Sequence, residues 1–286
     1  MSRIFWIAGF TITILMIGSC ANSENGKQAN NTPVEATISQ AKSDTVAEAD
    51  SLKSGLPIFY NMYLSVEMSS LFKNVGVGYE PKYMNPVSRT GDYIMSPKKA
   101  LNLGVYAVDL SYSKVFEQYD KAGKYLASMH QLSEELGIPS DEFYNTTNRI
   151  EKNITNKDSL YKIANEIYTT TDNYLKENDR EGAASLIILG GWIEAMHIAT
   201  AIVADGTTDP AFLDRITEQK HSLQDLIDLL ENYSSNETVA GYLDQLKKLQ
   251  PDFSTLTIDY SNPEASAEQV KKIGKIINKI RTEIVS

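Results

Sequence analysis

From Leu56 onward, apolar residues recur every three to four positions, the spacing of helices that each bury one face. The pattern predicts nine helices. Pro57 opens the first, which runs to about Val75, and a Gly-, Pro- and Tyr-containing loop follows over Gly76–Met95. Ser96-Pro97 starts the second, to about Tyr119. Asp120 opens the third, which ends in Leu136-Gly137-Ile138-Pro139, a glycine stop followed by proline. Further starts fall at Ser140, Asn156, Glu181, Asp209, Asn236 and Asn262, with Pro251 closing the eighth helix and an extended stretch over Ser254–Ile258. Nine helices with short connections predict an all-α fold, a single multi-helix bundle over 56–286. No period of 34 or 40 residues points to a solenoid.

Two stretches, Ala100–Phe116 and Ala183–Ala204, are apolar on most faces, as central helices are. Both carry glycine, at Gly104 and at Gly190-Gly191, which weakens a helix by about 1 kcal/mol per residue relative to Ala. The expected reason is close approach of another helix. Leu103-Gly104-Val105-Tyr106 and Leu189-Gly190-Gly191-Trp192 lie 86 residues apart, faintly suggesting a duplicated half, although Asp109 and Glu194 fall one residue out of register.

Before the helices the chain changes character twice. Arg3 precedes an apolar run from Ile4 to Ile17, fourteen residues that would make about 21 Å of helix, short of the roughly 30 Å hydrocarbon core. This reads as the apolar region of an export signal over 1–19. It ends in Ile17-Gly18-Ser19-Cys20, which resembles the lipobox of bacterial lipoproteins: an aliphatic residue, two small residues and a cysteine. The resemblance implies cleavage before Cys20, its diacylation (palmitate being the typical chain) and acylation of the new amino terminus. Several acyl chains hold a protein stably where one would not. No Asp follows Cys20, so the resemblance places the protein at the outer membrane of a bacterial envelope. Residues 20–55 contain no aromatic and few, isolated apolar residues, and predict a disordered tether with an end-to-end distance of roughly 30–35 Å.

Charge adds an exclusion. The chain carries 27 Lys plus Arg against 37 Asp plus Glu, a net −10, and loss of Arg3 with the signal leaves 26 against 37, or −11. Such a balance predicts no nucleic-acid partner and no attraction of the body as a whole to anionic lipid. Cys20 is the sole cysteine, which excludes an internal disulfide framework and a thiolate zinc site.

Candidate chemistry is sparse. Two of the three histidines follow a glutamate by three residues, in Glu194-Ala-Met-His197 and Glu218-Gln-Lys-His221, a spacing found in half of a di-iron site. At 100° per residue, Glu218 and His221 lie about 200° and 140° from Ile216, opposite the apolar face, so the site cannot be completed. Glu194 and His197, on a buried helix, remain candidates for an acid–base or ligand pair. Asn102, Tyr106, Asp109 and Ser113 form a polar stripe on an apolar helix: a pocket wall for a small ligand, or a buried network that fixes helix register. The candidate ligand-binding set is therefore Asn102, Tyr106, Asp109, Trp192, Glu194 and His197, with no cofactor or metal implied. Tyr79, Tyr83 and Tyr93 cluster in the loop before the second helix and read as packing more readily than as a sugar- or peptide-gripping surface.

Lys99-Ala-Leu-Asn-Leu-Gly-Val-Tyr-Ala-Val-Asp-Leu-Ser-Tyr112, Leu136-Gly-Ile-Pro139 and Gly190-Gly-Trp-Ile-Glu-Ala-Met196 resemble uncharacterised helical lipoproteins of Bacteroidota. That resemblance implies the all-α fold and the envelope, and no activity. The expectation is a lipid-anchored module that binds a small-molecule or protein ligand. One alternative is an envelope enzyme using Glu194, His197 and Asp109; another is a purely structural envelope protein.

Overall fold

A computed structural model describes Phe72, residues 75–153 and residues 156–286, all within one unit spanning Asp44–Ser286. The expected signal, the tether, Cys20 and the first expected helix lie outside the described residues, except that Phe72 is helical and buried. Eight α-helices follow among the described residues: α1 Ser96–Val115, α2 Tyr119–Glu135, α3 Ser140–Lys152, α4 Lys157–Glu177, α5 Ala183–Ala204, α6 Pro210–Glu231, α7 Glu237–Thr255 and α8 Pro263–Val285. The fold is an all-α bundle, as the periodicity predicts.

The helix ends show why these boundaries hold. Side chains of Asn156, Asp209, Asn236 and Asn262 each accept a hydrogen bond from a backbone N–H in the first turn of α4, α6, α7 and α8, a cap contributing about 1 kcal/mol. Gly137 takes the left-handed conformation (φ 82°) after α2, and Ile138 N–H returns to Ser133 O at 3.0 Å, closing the helix before Pro139. One boundary differs from expectation. Pro251 does not end α7; the helix continues through it to Thr255. Phe253, fully buried against Trp192 at 5.9 Å between ring centroids, draws this last turn onto the core.

The core is built around α1 and α5. α5 is long and apolar enough to cross a membrane, yet it is buried along almost its whole length by its neighbours. It lies chiefly against α1 and α8, and α1 also packs on α2. Glycines set the α1–α5 distance. A Cβ on Gly104 would stand 1.9 Å from Ile187 O, and one on Gly190 would stand 1.9 Å from Leu101 O. The contacts are reciprocal, each glycine facing the carbonyl three residues before the other. This reciprocity is local, since residues 86 positions from Glu194 and Asp109 are Val108 and Ala195.

The loop before α1 lies along α1 and reaches the C-terminal end of α5. It contains two short 3₁₀ turns, Pro81–Tyr83 and Val87–Asp92, and it buries Tyr83, Met84, Asn85, Thr90 and Tyr93. Tyr79 stacks on Tyr112, and the Tyr83 hydroxyl donates to Asp205 at the end of α5, which Lys82 also pairs. The tyrosines of this loop pack it down.

Candidate functional site

Five of the six candidate residues meet beneath that loop. Glu194, in the middle of α5, is fully buried and receives a two-pronged contact from Arg281 of α8, with Nε to Oε2 at 2.7 Å and Nη2 to Oε1 at 2.8 Å. A planar guanidinium matches a carboxylate in this way, and such charge-assisted pairs are the strong ones. The partner of Glu194 is thus an arginine 87 residues away. His197 instead lies near the backbone of Tyr83. Burial, and secondly the Arg281 charge, pull its imidazole down to about 3, so it stays neutral.

Asp109 completes the centre. It has no exposed surface, and its carboxyl lies within hydrogen-bonding reach of Glu194. Two carboxylates can share such a contact only through a proton. Burial and then the Glu194 charge push Asp109 well above the usual carboxylate range; burial also raises Glu194, against the pull of Arg281. The proton therefore resides on Asp109, whose hydroxyl donates to Glu194 while Oδ2 accepts from Asn85 N–H at 3.1 Å. Asp109 Oδ1 has no hydrogen-bond donor among the described residues. The result is a neutral acid, a carboxylate and a guanidinium with no net charge in the core.

Around them the loop is tied down atom by atom. Asn85 Nδ2 donates to Tyr93 Oη at 2.8 Å and to Asn102 Oδ1 at 3.1 Å, and its carbonyl accepts from Tyr125 at 3.0 Å. Tyr106 donates to Pro86 O at 3.2 Å and lies 3.3 Å from the Thr90 hydroxyl. Asn102 Nδ2 donates to Lys98 O and to Ile284 O, both at 2.9 Å. Lys98 Nζ donates to the carbonyls of Glu283, Ile284 and Ser286, groups that the end of α8 leaves without helical partners. Trp192 stands apart: it is buried against Phe253, and its indole N–H has no hydrogen-bond partner among the described residues.

The stripe of Asn102, Tyr106, Asp109 and Ser113 therefore lines a closed network. All four are fully buried, and they hold the loop and α8 to the central helices. The other Glu–His pair behaves as the helical angles require: Glu218 and His221 are exposed, and Glu218 pairs with Arg215 at 2.6 Å. Among the described residues, no group of three or more His, Cys, Asp or Glu side chains is placed to hold a metal ion.

The sequence reasoning passed over Arg281, which nothing local distinguishes from the lysines around it, and the third histidine. His130 Nε2 lies 3.1 Å from Ser140 Oγ and Nδ1 lies 3.6 Å from Glu134 Oε2, which superficially resembles a hydrolytic relay. In a relay the carboxylate sits behind Nδ1, on the far side of the ring from the serine. Here Ser140 donates directly to Glu134 at 2.9 Å, so the three groups share one edge and fasten the α2–α3 corner. An open cleft of about 220 Å³ between α3 and α4, bordered by Asp141, Glu142, Thr170 and Tyr174, contains none of the candidate residues.

The shared proton gives a pH prediction. A carboxyl whose folded pKa is raised contributes most below its unfolded pKa, and that contribution is lost as pH rises through the folded value. Asp109→Asn keeps the shape, accepting from Asn85 and donating to Glu194, without the proton. The stability advantage of wild type over this variant should shrink steadily from about pH 4 upward. Urea unfolding of both proteins at several pH values checks it; a difference that is flat or grows with pH removes the proton from Asp109.

Comparison with protein-family models, curated proteins and solved structures finds no match to this chain.

Proposed function

We propose that this protein is a lipid-anchored helical module of the bacterial cell envelope that acts through its outer surface. The observation that carries the second half is the closed Asp109–Glu194–Arg281 centre. Asp109 and Glu194 have no exposed surface, and the Asn85 N–H and the Arg281 guanidinium engage them from within the protein, so this centre serves as an internal fastening. An acid–base or metal reaction at Asp109 and Glu194 would require an opening to solvent, because both are fully buried beneath the loop from Tyr83 to Tyr93; His197 beside them is only half-buried. The first half rests on the Ile17-Gly18-Ser19-Cys20 resemblance, and the Bacteroidota likeness belongs to the same reading.

The anchor has a direct test. Cells expressing the full chain and fed an alkyne-tagged fatty acid should yield a labelled protein in the membrane fraction. Cys20→Ser should be unlabelled and should lose the membrane-bound mature form. An unlabelled wild-type protein overturns the anchor.

A further inference from the structure

The net charge of −10 conceals a local reversal on α8. From Val270 to Arg281 the chain carries Lys271, Lys272, Lys275, Lys279 and Arg281 and no acid. Arg281 turns inward to Glu194, and Lys271 pairs with Glu268 at 2.8 Å. The other three share a face. The orientation of α8 is fixed by Gly274, where a Cβ would stand 2.9 Å from Thr200 of α5. With Gly274 as zero, Lys272, Lys275, Ile276 and Lys279 fall at about 160°, 100°, 200° and 140°, away from the core. All four are exposed, Ile276 by 37%, and none of the three lysines has an ion-pair partner among the described residues. Acids bracket the stripe: Glu268 pairs with Lys271 and lies within electrostatic reach of Lys272 and Lys275, and Glu283 accepts from Gln245 at 2.9 Å.

We propose that this face, Lys272–Lys275–Ile276–Lys279, rests on an anionic phospholipid surface. Unpaired lysines around an exposed isoleucine suit a headgroup layer: ammonium groups meet phosphates while the apolar side chain enters the boundary. Salt screens charges beyond about 8 Å, so the acidic remainder of the body on other faces counts little against a face in contact. The proposal extends the anchoring reading, in which the acyl group supplies proximity and this stripe supplies orientation. Three lysines alone give weak affinity, about fivefold each, and a tether converts weak contact into stable alignment.

The test uses the chain from residue 20 with Cys20→Ser, so that no acyl group contributes. It is sedimented with phosphatidylcholine vesicles with and without phosphatidylglycerol, at low and physiological salt. Wild type should bind the phosphatidylglycerol vesicles selectively and less so as salt rises. Lys272→Gln/Lys275→Gln/Lys279→Gln should bind about a hundredfold less at unchanged helicity and melting temperature. Ile276→Ser should lose severalfold. Equal binding to both vesicle types, binding to neither, or a triple variant that binds like wild type overturns the proposal; binding to neither would leave the stripe to an acidic protein. Labelling at Cys20 fails or succeeds independently of all these outcomes.

Discussion

Arg281→Met is expected to destabilise the protein by about 3–5 kcal/mol, the range for removing one partner of a buried ion pair. Arg281 is mostly buried, and Glu194, fully buried, receives two of its N–H groups. Without them Glu194 must keep an uncompensated charge in the core or take up a proton. For a unit of this size the melting temperature should fall by roughly 10 °C or more. The double variant Glu194→Gln/Arg281→Met separates charge from packing. The amide that replaces the Glu194 carboxylate is neutral and still accepts from the Asp109 hydroxyl, so the double variant should recover more than half of the loss. Denaturant unfolding of the three proteins decides the matter. A single variant within 1 kcal/mol of wild type would show that the pair contributes little. A double variant no better than the single would assign the loss to packing of the arginine stem.

Gly190→Ala and Gly104→Ala should each cost about 3 kcal/mol or more, or prevent folding, because overpacking here cannot be relieved by a rotamer change. The atoms met at 1.9 Å are carbonyl oxygens of the facing central helix. Relief needs α1 and α5 to separate by more than 1 Å where both are buried. Neighbouring glycines serve as controls. A Cβ on Gly191 would stand 3.5 Å from its nearest neighbour, and those on Gly123 and Gly241 would meet nothing within 4 Å. Gly191→Ala should be near neutral, whereas Gly123→Ala and Gly241→Ala should gain up to about 1 kcal/mol from helix propensity. Thermal melts of the five variants give the ranking, and equal losses at Gly190 and Gly191 would contradict the crossing.

Much of this fold was legible in local patterns. Caps at Asn156, Asp209, Asn236 and Asn262, the stop at Gly137, and the glycines of two unusually apolar helices are short-range signals, and the helix boundaries follow them closely. Pro251 misled because its local cost is outweighed by the burial of Phe253 two residues later. Asn102, Tyr106 and Asp109 were recognisable as a stripe, since polar side chains on an apolar helix need partners. What they bind was not recognisable. Asn85 lies in an irregular loop and Arg281 among lysines on an otherwise ordinary amphipathic helix. Pairings over 87 residues, or between a side chain and a loop amide, leave no periodic trace. Net charge misled in a related way, because it averages over faces that meet different surroundings.

The placement of Arg281 on α8 has a consequence for the order of assembly. Every other helix of the described bundle precedes it in the chain, so α1 and α5 emerge with Asp109 and Glu194 but without their cation. Packed together at that stage, the two acids can be neutral only by holding two protons. The Arg281 guanidinium lets Glu194 stay ionised in the core, so the helix that comes last in the chain supplies the counterion to an interior built by earlier ones.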